Sequence, residues 1–129
     1  KLKAIPEFND LGVSYKLGAE LYYTVDIPQL DLDRLCLGDT NYILIELPTQ
    51  ARPHGMKRTF GNIVNCGYTP IIAHVERYSY MLADPSMLYD MIELGCLAHI
   101  NAEALLEKTK ATPKVMYFVF VRPLLPLPI

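Results

Sequence analysis

Two carboxylates and an imidazole occupy matching places in successive apolar stretches of this sequence. Glu20 closes LGAE, Glu46 closes YILIE and His74 closes PIIAH. Where such stretches are parallel strands, the residues at their carboxyl ends point into one crevice, and ligands and catalytic groups gather there. Two carboxylates with one imidazole suit a divalent ion such as Mn²⁺, Fe²⁺ or Zn²⁺. Arg77 follows three residues after His74, in HVERY, where its planar guanidinium could clamp a phosphate. Ordinary readings compete with these. A single Glu at a strand end is more often solvated or capping, and Arg77 taken alone is more simply a salt-bridge partner for Glu76 or another acid. The joint placement on consecutive strands is what favours a metal. His54, near a helix start, and His99, alternating with apolar residues in a strand, read as bland, and the nine tyrosines read as packing and surface residues.

Strands and helices must alternate to position these groups, and the apolar pattern predicts that they do. Residues 13–23 read as extended, ending at a polar stop. Residues 26–35 read as a short helix with Asp26 as N-cap and Pro28 early, where a missing N–H is harmless. The near-continuous apolar run 42–47 reads as a strand buried on both faces. A helix is predicted over 53–66, with Met56, Phe60, Ile63 and Val64 at helical spacing and Gly67 as its stop. A third strand covers 70–74. The clearest helix is 84–94, with Asp84 as N-cap, Pro85 next, an apolar stripe of Met87, Leu88, Met91 and Ile92, and Gly95 closing it. A fourth strand at 96–100 and a helix at 101–110 follow. The alternation predicts right-handed βαβ units and a parallel sheet. Four units are too few to close a barrel of eight, leaving a small open α/β sheet or part of a larger barrel.

The bulk numbers exclude more than they identify. The 129 residues fit one domain, and a net charge of −2 gives no reason to expect a nucleic acid or an acidic membrane as partner. No segment has the apolar length to span a membrane, and no apolar core segment opens the chain as a signal peptide would. Lys1 in place of Met suggests that the first residue is not a natural N-terminus. Cys36, Cys66 and Cys96 form no CxxC pair, so free, mostly buried thiols in a reducing cytoplasm are expected. None of the three has an Arg six residues on, which removes the thiol-based phosphatase loop, and no P-loop, GxGxxG or GxSxG is present. Residues 112–129 form an apolar, proline-rich tail without helical period. A strand at 115–121, an aberrant end and a partner-covered last strand all remain open for it.

Five blocks in order carry a resemblance. GAELYYT at 18–24, YILIELP at 42–48, GYTPIIAHVERYSYM at 67–81 and DPSMLYDMIELGC running into LAHINAEAL at 84–105 resemble the bacterial capsule-type, metal-dependent protein-tyrosine phosphatases of the polymerase and histidinol phosphatase (PHP) superfamily. The resemblance covers roughly residues 11–108. It implies an α/β fold in which residues 1–111 form part of a PHP-type (β/α) barrel with parallel strands, and 112–129 a tail outside it. It implies Glu20, Glu46 and His74 as metal ligands, Mn²⁺ as the commonest metal with Fe²⁺ or Zn²⁺ as alternatives, and Arg77 as a contact for substrate phosphate. The implied reaction is hydrolysis of phosphotyrosine on proteins by direct attack of water. The implied substrate is a bacterial tyrosine kinase that controls exopolysaccharide export, in the cytoplasm. A homo-oligomer stays open. The family also carries a His-x-His on its first strand and an Asp-x-His near its end. This chain has neither motif, and Val75 replaces the family's proline, so a fragment or degenerate copy with impaired activity is expected. A non-catalytic interaction module and a phosphoesterase for a small phosphate ester are the alternatives.

Overall fold

The computed structural model describes Gly12 and residues 16–106. The expectations for 112–129, for the start of the first extended stretch and for 107–110 lie outside the described residues.

Four strands form one sheet in the order β1-β2-β3-β4, all parallel. They are β1 (Glu20–Tyr22), β2 (Tyr42–Glu46), β3 (Thr69–Ile72) and β4 (Leu97–Ala98). Helices α1 (Met56–Asn65), α2 (Ser79–Ala83), α3 (Ser86–Glu93) and α4 (Ala102–Leu106) lie between and after them. Serial order means that every crossover steps the same way, as in the wall of a (β/α) barrel. A doubly wound sheet would reverse direction at a switch point. The described strands make a segment of such a wall and do not close.

Strand alternation divides the sheet into two faces. Ile43, Ile45, Leu47 and Ile72 are fully buried, and they share a core with Phe60 and Ile63 of α1 and Leu88 and Met91 of α3. Glu20, Tyr22, Leu44 and Glu46 fall on the opposite face, in register across β1 and β2, and are exposed or half-buried. The helix-facing side therefore supplies stability, at about 1.5–3 kcal/mol per large buried side chain. The other side is free to carry chemistry.

α1 shows why that burial matters. Its N-terminus has no side-chain cap, and Gly55 before it is left-handed at φ 67°. The helix is held by its buried stripe of Met56, Thr59, Phe60 and Ile63. The left-handed Gly55 also explains why the helix begins at Met56 and not at Pro53, since that conformation cannot continue a right-handed helix. α3 follows the sequence reading in its apolar stripe, but it starts at Ser86 with Pro85, not Asp84, at the N-cap position. The Asp84 carboxylate accepts the Ser86 N–H at 3.2 Å, and Met87, Leu88 and Met91 are buried.

The helix expected over 26–35 is replaced by two 3₁₀ turns, Ile27–Gln29 and Leu32–Arg34. Its buried residues explain the change. Ile27 and Leu32, five positions apart, would lie roughly 140° apart on an α-helix, yet both are buried in the same core. Breaking the helix at Leu30, whose ψ is 162°, brings them to one side. Asp26 makes no capping bond. A turn at Val75–Arg77 and the short α2 were not foreseen. No helix among the described residues is long and apolar enough to cross a membrane.

Candidate metal centre

Glu46 is the last residue of β2, as the sequence suggests. Glu20 and His74 are placed differently from expectation. Glu20 opens β1 and pairs in register with Leu44, one side-chain step behind Glu46 on the same face. His74 stands two residues beyond the end of β3, as the residue preceding the Val75–Arg77 turn. The three side chains nevertheless converge. His74 Nε2 lies 3.3 Å from Glu46 Oε1 and 3.4 Å from Glu20 Oε1. One donor atom from each falls within 4.8 Å of the others.

These spacings fit a divalent ion. Neighbouring donors about 2.0–2.2 Å from a shared metal lie about 3–3.5 Å apart, as both contacts to His74 Nε2 do. The donor chemistry agrees, because two carboxylates held this close repel each other unless a cation lies near them. The burial is graded: His74 is buried, while the Glu20 and Glu46 side chains stay about half and a third exposed. The group is thus reachable from solvent on its carboxylate side and walled on its imidazole side.

A left-handed backbone aims His74. Its φ of 34° and ψ of 58° make it the sole positive-φ residue other than glycine among the described residues. Such a conformation costs a non-glycine residue about 1–3 kcal/mol and persists only where its surroundings fix it. The Nδ1 atom is buried without a hydrogen-bond partner.

Two tyrosines peg the loop after β3 to the end of β2. The Tyr78 hydroxyl accepts the Leu47 N–H at 2.9 Å, and the Tyr80 hydroxyl donates to the Pro48 carbonyl at 2.8 Å. Their rings stack 5.7 Å apart, and the Tyr78 ring lies 5.7 Å from that of His74. Burial pushes the Tyr78 phenol up to about 12, with the charges of Glu46, Glu20 and Glu76 adding and the Leu47 N–H opposing. Tyr78 is a neutral peg between the two candidate strand ends. The sequence reading took the tyrosines as packing and surface residues and missed this pair.

Arg77 is exposed on the turn that follows His74, its N–H bonded to the His74 carbonyl at 3.0 Å. Its guanidinium makes no ion pair among the described residues, with Glu76 or any other acid. The Glu76 carboxylate instead accepts the Asn101 N–H at 3.3 Å. Two of the three thiols, Cys36 and Cys96, are buried and Cys66 is exposed. Burial raises the Cys36 thiol above its ordinary value, and pushes Cys96 up to about 12.

The family described as capsular polysaccharide synthesis, CpsB/CapC, matches residues 2–121. The chain belongs to the CpsB/CapC family. The tyrosine-protein phosphatase CpsB of Streptococcus pneumoniae is 34% identical over 96 residues, 73% of this chain and 39% of that protein. The tyrosine-protein phosphatase YwqE of Bacillus subtilis is 39% identical over 71 residues, 55% of this chain and 28% of that protein. Among solved structures, those of YwqE and CpsB, described as metal-dependent tyrosine phosphatases, include a chain matched at a TM-score of 0.79 and 29% identity, over 92% of this chain and 49% of that one. The chain thus spans less than half the length of the curated relatives it matches.

Proposed function

We propose that this CpsB/CapC chain carries part of the active site of a metal-dependent protein-tyrosine phosphatase. The observation that supports it most is the convergence of Glu20, Glu46 and His74 at one end of a parallel sheet, in a chain whose relatives are metal-dependent tyrosine phosphatases. In this reading the three residues hold Mn²⁺, whose preference for oxygen with some nitrogen matches the donor set. A bound divalent ion would supply Lewis acidity to the phosphate and to the attacking water. The chain's own residues do the rest. Arg77, exposed and without an ion pair among the described residues, offers a planar fork to two phosphate oxygens, and Tyr78 ties the loop after β3 to the end of β2. The reaction runs without a covalent cysteine intermediate. Free Cys36, Cys66 and Cys96 agree with a cytoplasmic setting.

The substrate in this reading is a phosphorylated protein of the capsule-export machinery, a tyrosine kinase being the expected partner. The surface on the same end of the sheet supports an anionic protein. No Asp or Glu occurs between Glu46 and Glu76. Arg52, His54, Lys57 and Arg58 line an open cavity of about 570 Å³ formed by the loop after β2 and the start of α1. Lys57 reaches Asp90 at 3.9 Å, whereas Arg52 and Arg58 have no ion pair among the described residues. Reversing both charges, Arg52→Glu with Arg58→Glu, is expected to raise KM for a phosphotyrosyl protein roughly tenfold or more, about 1.4 kcal/mol. The KM for a small aryl phosphate should stay within a factor of two or so. Equal effects on both substrates would remove the recognition role.

The His-x-His and Asp-x-His motifs of the resemblance do not occur in this chain, so we expect its metal site to be weak. The deciding assay is aryl phosphate hydrolysis by the purified chain with added Mn²⁺, beside a full-length relative. Slow turnover that requires both Mn²⁺ and Arg77 is expected. Turnover equal to the relative's would refute the weakness, and none above an Arg77→Ala control would refute the phosphatase reading.

A further inference from the structure

His99, read from the sequence as bland, directly follows β4. It makes three hydrogen bonds around one point of the chain. Its N–H donates to the Ile72 carbonyl at 2.9 Å, and its carbonyl accepts the Val75 N–H at 3.0 Å. Between these, its Nδ1 accepts the His74 N–H at 3.1 Å. The carbonyl two residues before the strained residue, that residue's own N–H and the N–H just after it are all held by His99.

We propose that His99 is a positioning residue for His74, rigidly holding the left-handed backbone that aims Nε2 at Glu20 and Glu46. This rests on the metal-site reading above. Without its partner, the His74 N–H would be left unsatisfied in a part-buried loop, and a non-glycine residue at φ 34° would relax toward a right-handed or extended conformation. Either relaxation swings the Cα–Cβ bond and moves Nε2 off the carboxylates. The usual support for a metal-binding histidine is a hydrogen bond to its second ring nitrogen. Here His74 Nδ1 has no such partner among the described residues. The orientation must come through the backbone, and the His99 ring is the side chain that reaches it.

The Nδ1 atom does this work as an acceptor, so the replacement that preserves it is specific. The Oδ1 atom of Asn occupies a comparable place one bond beyond Cγ and accepts in the same direction. Leu matches the bulk and accepts nothing. Mn²⁺ binding to the full chain, measured by calorimetry, should weaken roughly 10- to 100-fold in His99→Leu, the range for residues supporting a metal ligand. His99→Asn should stay within about threefold of wild type. Wild-type affinity in His99→Leu, or equal loss in both variants, would overturn the proposal.

If wild type takes up no Mn²⁺, the metal-site reading fails, and positioning is decided on the metal-free chain. A scalar coupling across the hydrogen bond between His74 N and His99 Nδ1, seen by NMR in ¹⁵N-labelled wild-type protein, would then sustain it. Its absence would overturn it, including in the case where His99→Leu does not fold.

Discussion

His74→Ala should erase the thermal stabilisation that Mn²⁺ gives the wild-type chain. At a metal concentration 100 times Kd, linkage adds about 2.7 kcal/mol to stability. Removing the sole nitrogen donor among the three converging side chains should weaken binding by at least ~100-fold, the upper range seen for mere supporting residues. The same Mn²⁺ concentration then contributes less than about 0.5 kcal/mol. His74→Gly makes the test sharper, because it separates ligand from strain. Both variants lose the imidazole, but only glycine is at ease at φ 34° and ψ 58°. In the metal-free chain His74→Gly should therefore be more stable than His74→Ala by about 1 kcal/mol. Thermal unfolding of wild type and both variants, with and without Mn²⁺, reads the two effects independently. If His74→Ala kept the wild-type response to Mn²⁺, Nε2 would not be a ligand. If the glycine variant were the less stable, the left-handed backbone would not be strained.

The elements that the sequence made legible are those whose determinants are local. The run 42–45 is apolar at every position and is followed by Glu-Leu-Pro, so β2 and the place of Glu46 could be read directly. α1 and α3 declare themselves by stripes at three- and four-residue spacing, and each is followed by a glycine that the structure finds left-handed, Gly67 and Gly95. Serial strand–helix units made the parallel sheet legible, and with it the clustering of Glu20, Glu46 and His74.

What escaped depends on contacts distant in sequence. Ile27 and Leu32 share a core that only the folded sheet provides, so their turn looked like a helix. The bond from His74 to His99 spans 25 residues and that from Leu47 to Tyr78 spans 31. Nothing in the local pattern marks one of three histidines or one of nine tyrosines for such a role. The left-handed conformation of His74 was equally hidden, since only glycine adopts it readily and histidine does so in a small minority of cases.

Tyr78→Phe tests the second of these hidden contacts, and its effect should depend on pH in a way that packing alone cannot mimic. Tyr78 is fully buried, so the phenyl ring refills the space and leaves the buried Leu47 N–H without an acceptor. That costs about 1–3 kcal/mol near neutral pH, several degrees in Tm. The phenol itself titrates far above its ordinary value of 10, at about 12. Between these two values the unfolded chain releases the proton while the folded chain keeps it, so the unfolded state binds fewer protons and stability falls as pH rises. Two units correspond to at most about 2.7 kcal/mol, present in full below pH 10 or so and lost by about pH 12. Phenylalanine has no such proton. The stability gap between wild type and variant should accordingly be widest below about pH 10 and narrow toward pH 12. Cys96, raised by burial alone, lowers both proteins' stability over the same range and cancels in the difference. Tyr80, raised by burial and then by the charge of Tyr78, cancels except for that second contribution. Denaturant unfolding of the pair at stepped alkaline pH measures that difference. A gap constant with pH would mean that the Tyr78 hydroxyl is not held neutral against the end of β2, and that the two strand ends are fixed by apolar packing alone.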